Sequence, residues 1–235
     1  MAQNKRLGDL VEIGTWEDVR HALERCQGTF VAACDWIVVN LERNNRNLTL
    51  YNLLKGTVPF MQSASEGLRG PVSFLAFCTR NVFEINLRAR HILQSDGNLQ
   101  QWIAEAVTDN IQVLEGVLSL RQTASPRDVE MLEAEIERIR AVAQKHQVSD
   151  SRRLLSVSEL AKAVGQESEY RAFFRIYSKL VHPSSYLLNS SPDDLNGSFI
   201  RTTLVIHLQL YAYDLLGRIR RGLGVPDEVC NMPDA

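Results

Sequence analysis

Three polar residues, Arg175, Ser178 and His182, share one side of a segment that is otherwise apolar. On a wheel of 100° per residue, Arg171, Arg175, Ser178 and His182 fall within roughly 60° of arc. Tyr170, Phe173, Phe174, Ile176, Tyr177, Leu180 and Val181 take the broad remaining face. Arg175 and His182 nearly eclipse one another two turns apart. Pro183 disfavours the α conformation at His182, so the spacing predicts a helix over 168–182 that stops there. The negative end of that helix then favours an imidazolium. An Arg and a tunable His on one face suit phosphodiester chemistry, in which one holds phosphate charge while the other moves protons. The same residues also suit a solvated helix face whose terminal His merely satisfies local carbonyls.

A second stripe stands earlier in the chain. Arg80, Glu84, Arg88 and His91 fall within about 80° of arc on a predicted helix over 71–94. Arg80, Glu84 and Arg88 form an i, i+4, i+8 ladder that can pair its own charges. Phe77, Val82, Phe83, Ile85 and Leu87 flank it, so the helix is expected to be largely buried. Buried charges are costly unless paired. Two readings follow: a self-neutralising structural network, or the lining of an anionic pocket opposite His182 with Glu84 orienting the Arg or the His. On the pocket reading Arg80, Glu84, Arg88, Tyr177 and Arg171 contact the substrate. His207, Tyr211, Asp214 and Arg218 recur along the last helix, where His207 and Tyr211 sit among leucines as a satisfied core pair. Arg218, Arg220 and Arg221 make a basic helix end that the dipole alone favours.

The elements that position these residues read as helices throughout. Thr15 caps a helix running to about residue 44, with Gly28 as a kink or close-packing point. A weaker helical region at 48–68 is cut by Gly56 and Pro59. Gly70-Pro71 opens the helix of the ladder. Helices at about 98–122 and 126–147 form a charged hairpin, the second of them capped by Ser125 and thick with charge. Residues 148–156 read as a polar connection, 157–164 as a short helix and 189–197 as loop. The last long helix covers about 198–222 and ends at Gly222 and Gly224. The expected architecture is an all-α bundle of about six to eight helices. One helical domain spans 15–224, between a flexible N-terminus (1–14) and a flexible tail (225–235).

Composition narrows the function classes. The 235 residues are 45% apolar and 23% charged, with a net charge of −2, so no global basic field advertises nucleic acid. Cys26, Cys34, Cys78 and Cys230 lack metal-ligand spacing and are expected to be free in a reducing, cytoplasmic compartment. Residues 1–14 lack the order of a signal peptide, and no apolar run is long enough to span a membrane. Walker A, GxGxxG, HExxH and GxSxG motifs are all missing, so no cofactor and no metal are expected.

Tyr177-Ser178, three residues, then His182-Pro183-Ser184-Ser185 resembles the signature of an uncharacterised bacterial family of helical proteins. Members of that family often carry an Arg-x-x-x-Glu helix like Arg80–Glu84. The resemblance covers about residues 20 to 220 and implies no function. More distantly, Arg175, six residues and His182 on a late helix resembles the motif of HEPN domains, all-α bundles that are often metal-independent ribonucleases of toxin and antiviral systems, with sites composed across a homodimer. That resemblance implies RNA as partner, His182 as acid and base for attack by a ribose 2′-hydroxyl, and Arg175 as phosphate clamp. Ile176 departs from the pattern, in which a polar residue follows the Arg. The second function class left open is a non-catalytic helical module that binds a partner protein.

Overall fold

A computed structural model describes residues 7–120, 122, 125–148, 155–195 and 197–230. Among the described residues the regular structure is helical, with no strand. The chain divides into two compact units, Met1–His91 with Val157–Ala235, and Ile92–Ser156. The second holds the hairpin expected at 98–147.

In the first unit, α1 (Trp16–Asn40) starts where Thr15 and Asp18 cap each other: Thr15 Oγ1 accepts from the Asp18 N–H at 3.2 Å, and Asp18 Oδ2 accepts from the Thr15 N–H at 2.8 Å. Such a cap is worth about 1 kcal/mol. Val19, Leu23, Cys26, Phe30, Ala33 and Ile37 recur at three- and four-residue steps and are buried, which gives α1 its inward face. Gly28 lies within this continuous helix and marks no close approach, because a Cβ there would meet open space. Helix α2 (Asn45–Glu66), capped by Asn44, runs straight through Gly56 and Pro59, contrary to the expected break. Pro59 is exposed, as is Lys55, whose freed carbonyl lies on the side that water reaches.

Pro71 precedes α3 (Val72–Gln94). The longest helix, α11 (Ser198–Leu223), ends on Gly224, whose φ of 68° is the left-handed conformation that glycine adopts without a Cβ penalty. Buried polar groups tie α11 to its neighbours. The Arg201 guanidinium donates to the carbonyls of Leu68 (2.9 Å) and Gly70 (2.7 Å), holding the turn that launches α3. Thr79 Oγ1 donates to the Leu204 carbonyl at 3.3 Å. The Gln209 amide accepts from the Glu12 N–H at 2.9 Å and donates to the Glu12 carbonyl at 3.0 Å. The Arg201 and Thr79 bonds fix α3, the helix of the ladder, against α11, and the Gln209 bonds fix the segment ahead of α1.

The chain ends are more ordered than expected. Leu7–Leu10 form a 3-10 turn against α11, and Asp227–Cys230 form α12 against α1, with Cys230 buried and Asp227 paired to Arg220. Residues 1–6 and 231–235 lie outside the described residues. Two short helices follow, α9 (Ser185–Asn189) and, on ground expected to be loop, α10 (Pro192–Leu195), each started by a serine hydroxyl that accepts an amide N–H. α6 (Val157–Ala163) stands where a short helix was expected.

The second unit pairs α4 (Asp96–Leu118) with α5 (Pro126–Lys145), capped by Ser95 and Ser125. Its core is thin, made from Leu99, Ala104, Ile111, Ile136 and Ala143. The expected connection at 148–156 falls mostly outside the described residues. No helix among the described residues is long and apolar enough to cross a membrane.

Candidate functional site

The segment expected as one helix over 168–182 is built in three pieces. A single α-helical turn, α7 (Glu167–Glu169), leads into a π-helical turn, Tyr170–Phe174, and α8 (Arg175–Val181) follows. A π turn holds more residues than an α turn, so the 100° wheel does not carry from Arg171 to Arg175. Arg171 accordingly leaves the stripe: it is exposed and pairs with Glu167 at 2.6 Å. Within the π turn Tyr170 stacks on Phe174 with centroids 4.8 Å apart, and the Arg80 guanidinium lies 4.7 Å from the Phe174 centroid. That cation–π contact restrains Arg80 from the side of the ring.

Helix α8 stops at His182, which is extended (φ −92°, ψ 152°) ahead of Pro183, as the proline predicts. The His182 N–H still donates to the Ser178 carbonyl at 3.1 Å. Its imidazole meets Arg80: Nη1 of Arg80 lies 2.9 Å from His182 Nε2, while Arg80 Nε donates to Glu84 Oε1 at 2.8 Å. A guanidinium only donates. In this arrangement, therefore, His182 Nε2 is the unprotonated ring nitrogen. The Arg80 and Glu84 side chains are 23% and 32% exposed, and His182 is exposed, so the cluster sits at the surface.

Three of the expected site residues thus come together: Arg80, Glu84 and His182. Arg80 and Glu84 pair with each other as the self-neutralising ladder expects, and both are half-buried rather than sealed in the interior. Arg175 is exposed and makes no hydrogen bond or ion pair among the described residues. Ser178 is half-buried and contributes its carbonyl to the end of α8. Arg88 lies one turn beyond Glu84, near His91, whose pKa is lowered by burial first and by Arg88 second. Tyr177 is the clearest correction: it is fully buried and turned away from the surface, so it touches no substrate there.

Two polar networks lie in the core: sequence reasoning missed the first, and of the second it expected the His207–Tyr211 core pair but not its links to Tyr177 and Glu169. In the first, Asp214 Oδ2 accepts from Asn86 Nδ2 (2.8 Å), Arg90 Nη2 (2.8 Å) and Arg218 Nε (2.8 Å), and Arg90 Nε donates to Asn86 Oδ1 at 2.8 Å. Burial pushes the Asp214 carboxyl up, but the bonds from Arg218 and Asn86 and the charge of Arg90 outweigh it and hold the group low. In the second, the Tyr177 hydroxyl meets His207 Nδ1 at 2.7 Å and the Tyr211 hydroxyl at 3.0 Å, and Tyr211 donates to Glu169 at 2.7 Å. Burial lowers the His207 pKa against the opposing charge of Glu169. The signal for the first network was present as two i, i+4 polar pairs on apolar helices, Asn86–Arg90 and Asp214–Arg218.

Among the described residues, no group of three or more His, Cys, Asp and Glu side chains is arranged to hold a metal ion. All four cysteines are free and buried, and burial pushes their thiols up, Cys34 and Cys78 to about 11.

Fold and site together define an all-α protein whose surface carries an Arg–Glu–His clasp between α3 and the end of α8. The chain belongs to a family of unknown function, DUF5677, whose model matches residues 75–199. That stretch is about half of the chain and contains Arg80, Glu84, Arg175 and His182. Membership in an uncharacterised family agrees with the expectation from the sequence. No curated protein and no solved structure matches the chain.

Proposed function

We propose that this chain is a HEPN-like helical protein that acts on RNA, cleaving the phosphodiester without a metal, in a bacterial defence or toxin-type role. The observation that supports this reading is the 2.9 Å contact between Arg80 Nη1 and His182 Nε2 on an exposed face. An anionic phosphodiester competes for the guanidinium. When Arg80 turns to the phosphate, the Nε2 lone pair is released and faces the ribose. His182 then takes the 2′-hydroxyl proton, the 2′-oxygen attacks phosphorus, the bond from phosphorus to the 5′-oxygen breaks, and the His182 imidazolium gives its proton to that leaving oxygen. The products are a 2′,3′-cyclic phosphate and a 5′-hydroxyl. Glu84 keeps Arg80 oriented, and Arg175 supplies a second cation to the transition state.

The test is a panel of single-stranded and structured RNAs incubated with the wild type, His182→Ala and Arg80→Ala. Cleavage by the wild type, lost in both variants and on a substrate with 2′-deoxyribose at the cut, is the expected result. A wild type that neither cuts nor binds any member of the panel would sink the reading.

The same clasp also supports a second reading, a non-catalytic interaction module, because Arg80–His182 joins α3 to the end of α8 and so shapes a surface that a partner protein can meet. On that reading RNA remains intact and His182→Ala changes partner binding alone.

A further inference from the structure

Between the start of α1 and the end of α2 lies a cleft of about 410 Å³ that the Arg80–His182 site does not use. That volume is in the range of small-molecule sites. Ser65 of α2 lines the cleft and is only 5% exposed. Two other buried hydroxyls return to their own helices: Thr57 Oγ1 donates to the Leu53 carbonyl at 2.8 Å, and Thr79 Oγ1 to the Leu75 carbonyl at 2.9 Å. The Ser65 hydroxyl has no such bond, and it makes no hydrogen bond to any other of the described residues. A hydroxyl so nearly buried is costly to leave unmatched. The cleft is the side from which a partner can reach it.

The charges around Ser65 say what kind of partner fits. Two bases and two acids line the cleft, Arg20 and Arg69 against Glu17 and Glu66. Arg20 is engaged, with Glu17 at 3.1 Å and Glu24 at 3.9 Å. Glu66 accepts from the Gln62 amide at 2.9 Å but has no cationic partner among the described residues. Arg69 has neither ion pair nor hydrogen bond among them, so it does not pair with Glu66 three positions away. Its backbone is nevertheless fixed, because Arg201 holds the carbonyls of Leu68 and Gly70 on either side. A fixed backbone lowers the ordering cost of binding. An anion alone would gain Arg69 and face Glu66, and a cation alone the reverse, whereas a zwitterion satisfies both. Leu68 and the half-buried Trp16 add apolar surface to the same cleft.

We propose that this cleft binds a free α-amino acid with an apolar or aromatic side chain. The ligand carboxylate takes the Arg69 guanidinium and the Ser65 hydroxyl, the ammonium donates to Glu66, and the side chain lies against Trp16 and Leu68. The inference is independent of the RNA reading, since it uses no residue of the Arg80–His182 site.

The test is isothermal titration calorimetry on the full chain. The ligands are L-leucine and L-phenylalanine, their N-acetyl forms, which lack the ammonium, their amides, which lack the carboxylate, and adenosine monophosphate, an anion with a stacking ring. The free amino acids are expected to bind, and each blocked form to bind at least about tenfold more weakly, as the loss of one charged hydrogen bond requires. Arg69→Gln and Glu66→Gln are each expected to weaken L-leucine about tenfold, with unchanged melting because both side chains are exposed. Ser65→Ala is expected to weaken it about threefold or more. The same variant should melt no lower than the wild type, since the hydroxyl has no partner in the fold. Neither amino acid bound at about 10 mM, a blocked form that binds as tightly as its parent, or adenosine monophosphate bound in their place would each overturn the proposal. So would unaltered affinity in either charge variant.

Discussion

Two clusters on α3 each join an arginine to a carboxylate through pairs set six residues apart, yet they have opposite surroundings. Arg80 and Glu84 reach an exposed His182 at the protein surface. Asn86 and Arg90 reach Asp214, a carboxylate that is almost fully buried and also held by Arg218. In the buried cluster a single oxygen, Asp214 Oδ2, takes bonds from Asn86, Arg90 and Arg218. The surface cluster leaves His182 and the far side of Arg80 open to whatever approaches. Polar groups in the core are costly to leave unpaired, so that cluster reads as architecture. Polar groups at the surface can exchange partners at little cost, and that freedom is what a phosphate site requires.

The largest effect expected from this contrast is on stability. Asp214→Ala leaves Arg90 and Arg218 without their carboxylate and is expected to cost about 3 kcal/mol, towards the low end of the range for a broken buried pair because Arg218 keeps partial access to water. Urea denaturation measures it, and a loss under about 1 kcal/mol would show that the core cluster is dispensable. Next comes Tyr177→Phe, which strips His207 Nδ1 of its partner and is expected to cost about 1–3 kcal/mol in the same measurement.

Acid sensitivity follows from the two buried groups, in separate windows. The native His207 pKa lies below the unfolded value of about 6.5, so the unfolded chain takes up the proton first. The contribution of His207 is therefore full above that value and falls away as pH drops from it towards the native pKa. Asp214 has a depressed native pKa, so its contribution is present above about pH 3.9 and is lost as pH falls through the native value. Stability measured from pH 7.5 to 3 is expected to decline in two stages. Replacement of His207 by Gln should shrink the upper stage, to which His91 with its lowered pKa also contributes, and an upper stage of undiminished size in that variant would contradict the assignment.

The smallest effect belongs to the surface cluster. His182→Ala is expected to change stability by less than about 0.5 kcal/mol, since exposed substitutions seldom do more. A drop as large as that of Tyr177→Phe would mean that the clasp holds the fold together, and would favour a structural role for it.

The sequence made the surface half of this contrast partly legible. Arg80 and Glu84 are an i, i+4 pair, and Pro183 marks the helix end that presents His182, so both are local facts. The pairing of Arg80 with His182 is not local, since 102 positions separate them. The π turn at Tyr170–Phe174 has no periodic signature, and it is what removes Arg171 from the stripe and places Phe174 against Arg80. Tyr177 was already on the apolar face of the wheel, and its hydroxyl finds partners only because α11 brings His207 and Tyr211 to it. Helix existence was readable from apolar spacing almost throughout. Pro59 misled because a proline on a solvent face interrupts a helix far less than one facing the core. The short helices α9 and α10 hid in a stretch of serine and asparagine, residues that serve caps and loops alike.

The central claim is that the exposed Arg80–His182 pair exists for phosphate chemistry rather than for the fold. Its most direct test is single-turnover cleavage of the most susceptible RNA by wild type and His182→Ala, with the melting temperature of each protein measured in the same buffer. The account predicts that the wild type leaves 2′,3′-cyclic phosphate ends, that the variant leaves the RNA intact, and that the two melt together. Cleavage that survives in the variant, or its loss alongside a collapse in melting temperature, would contradict it.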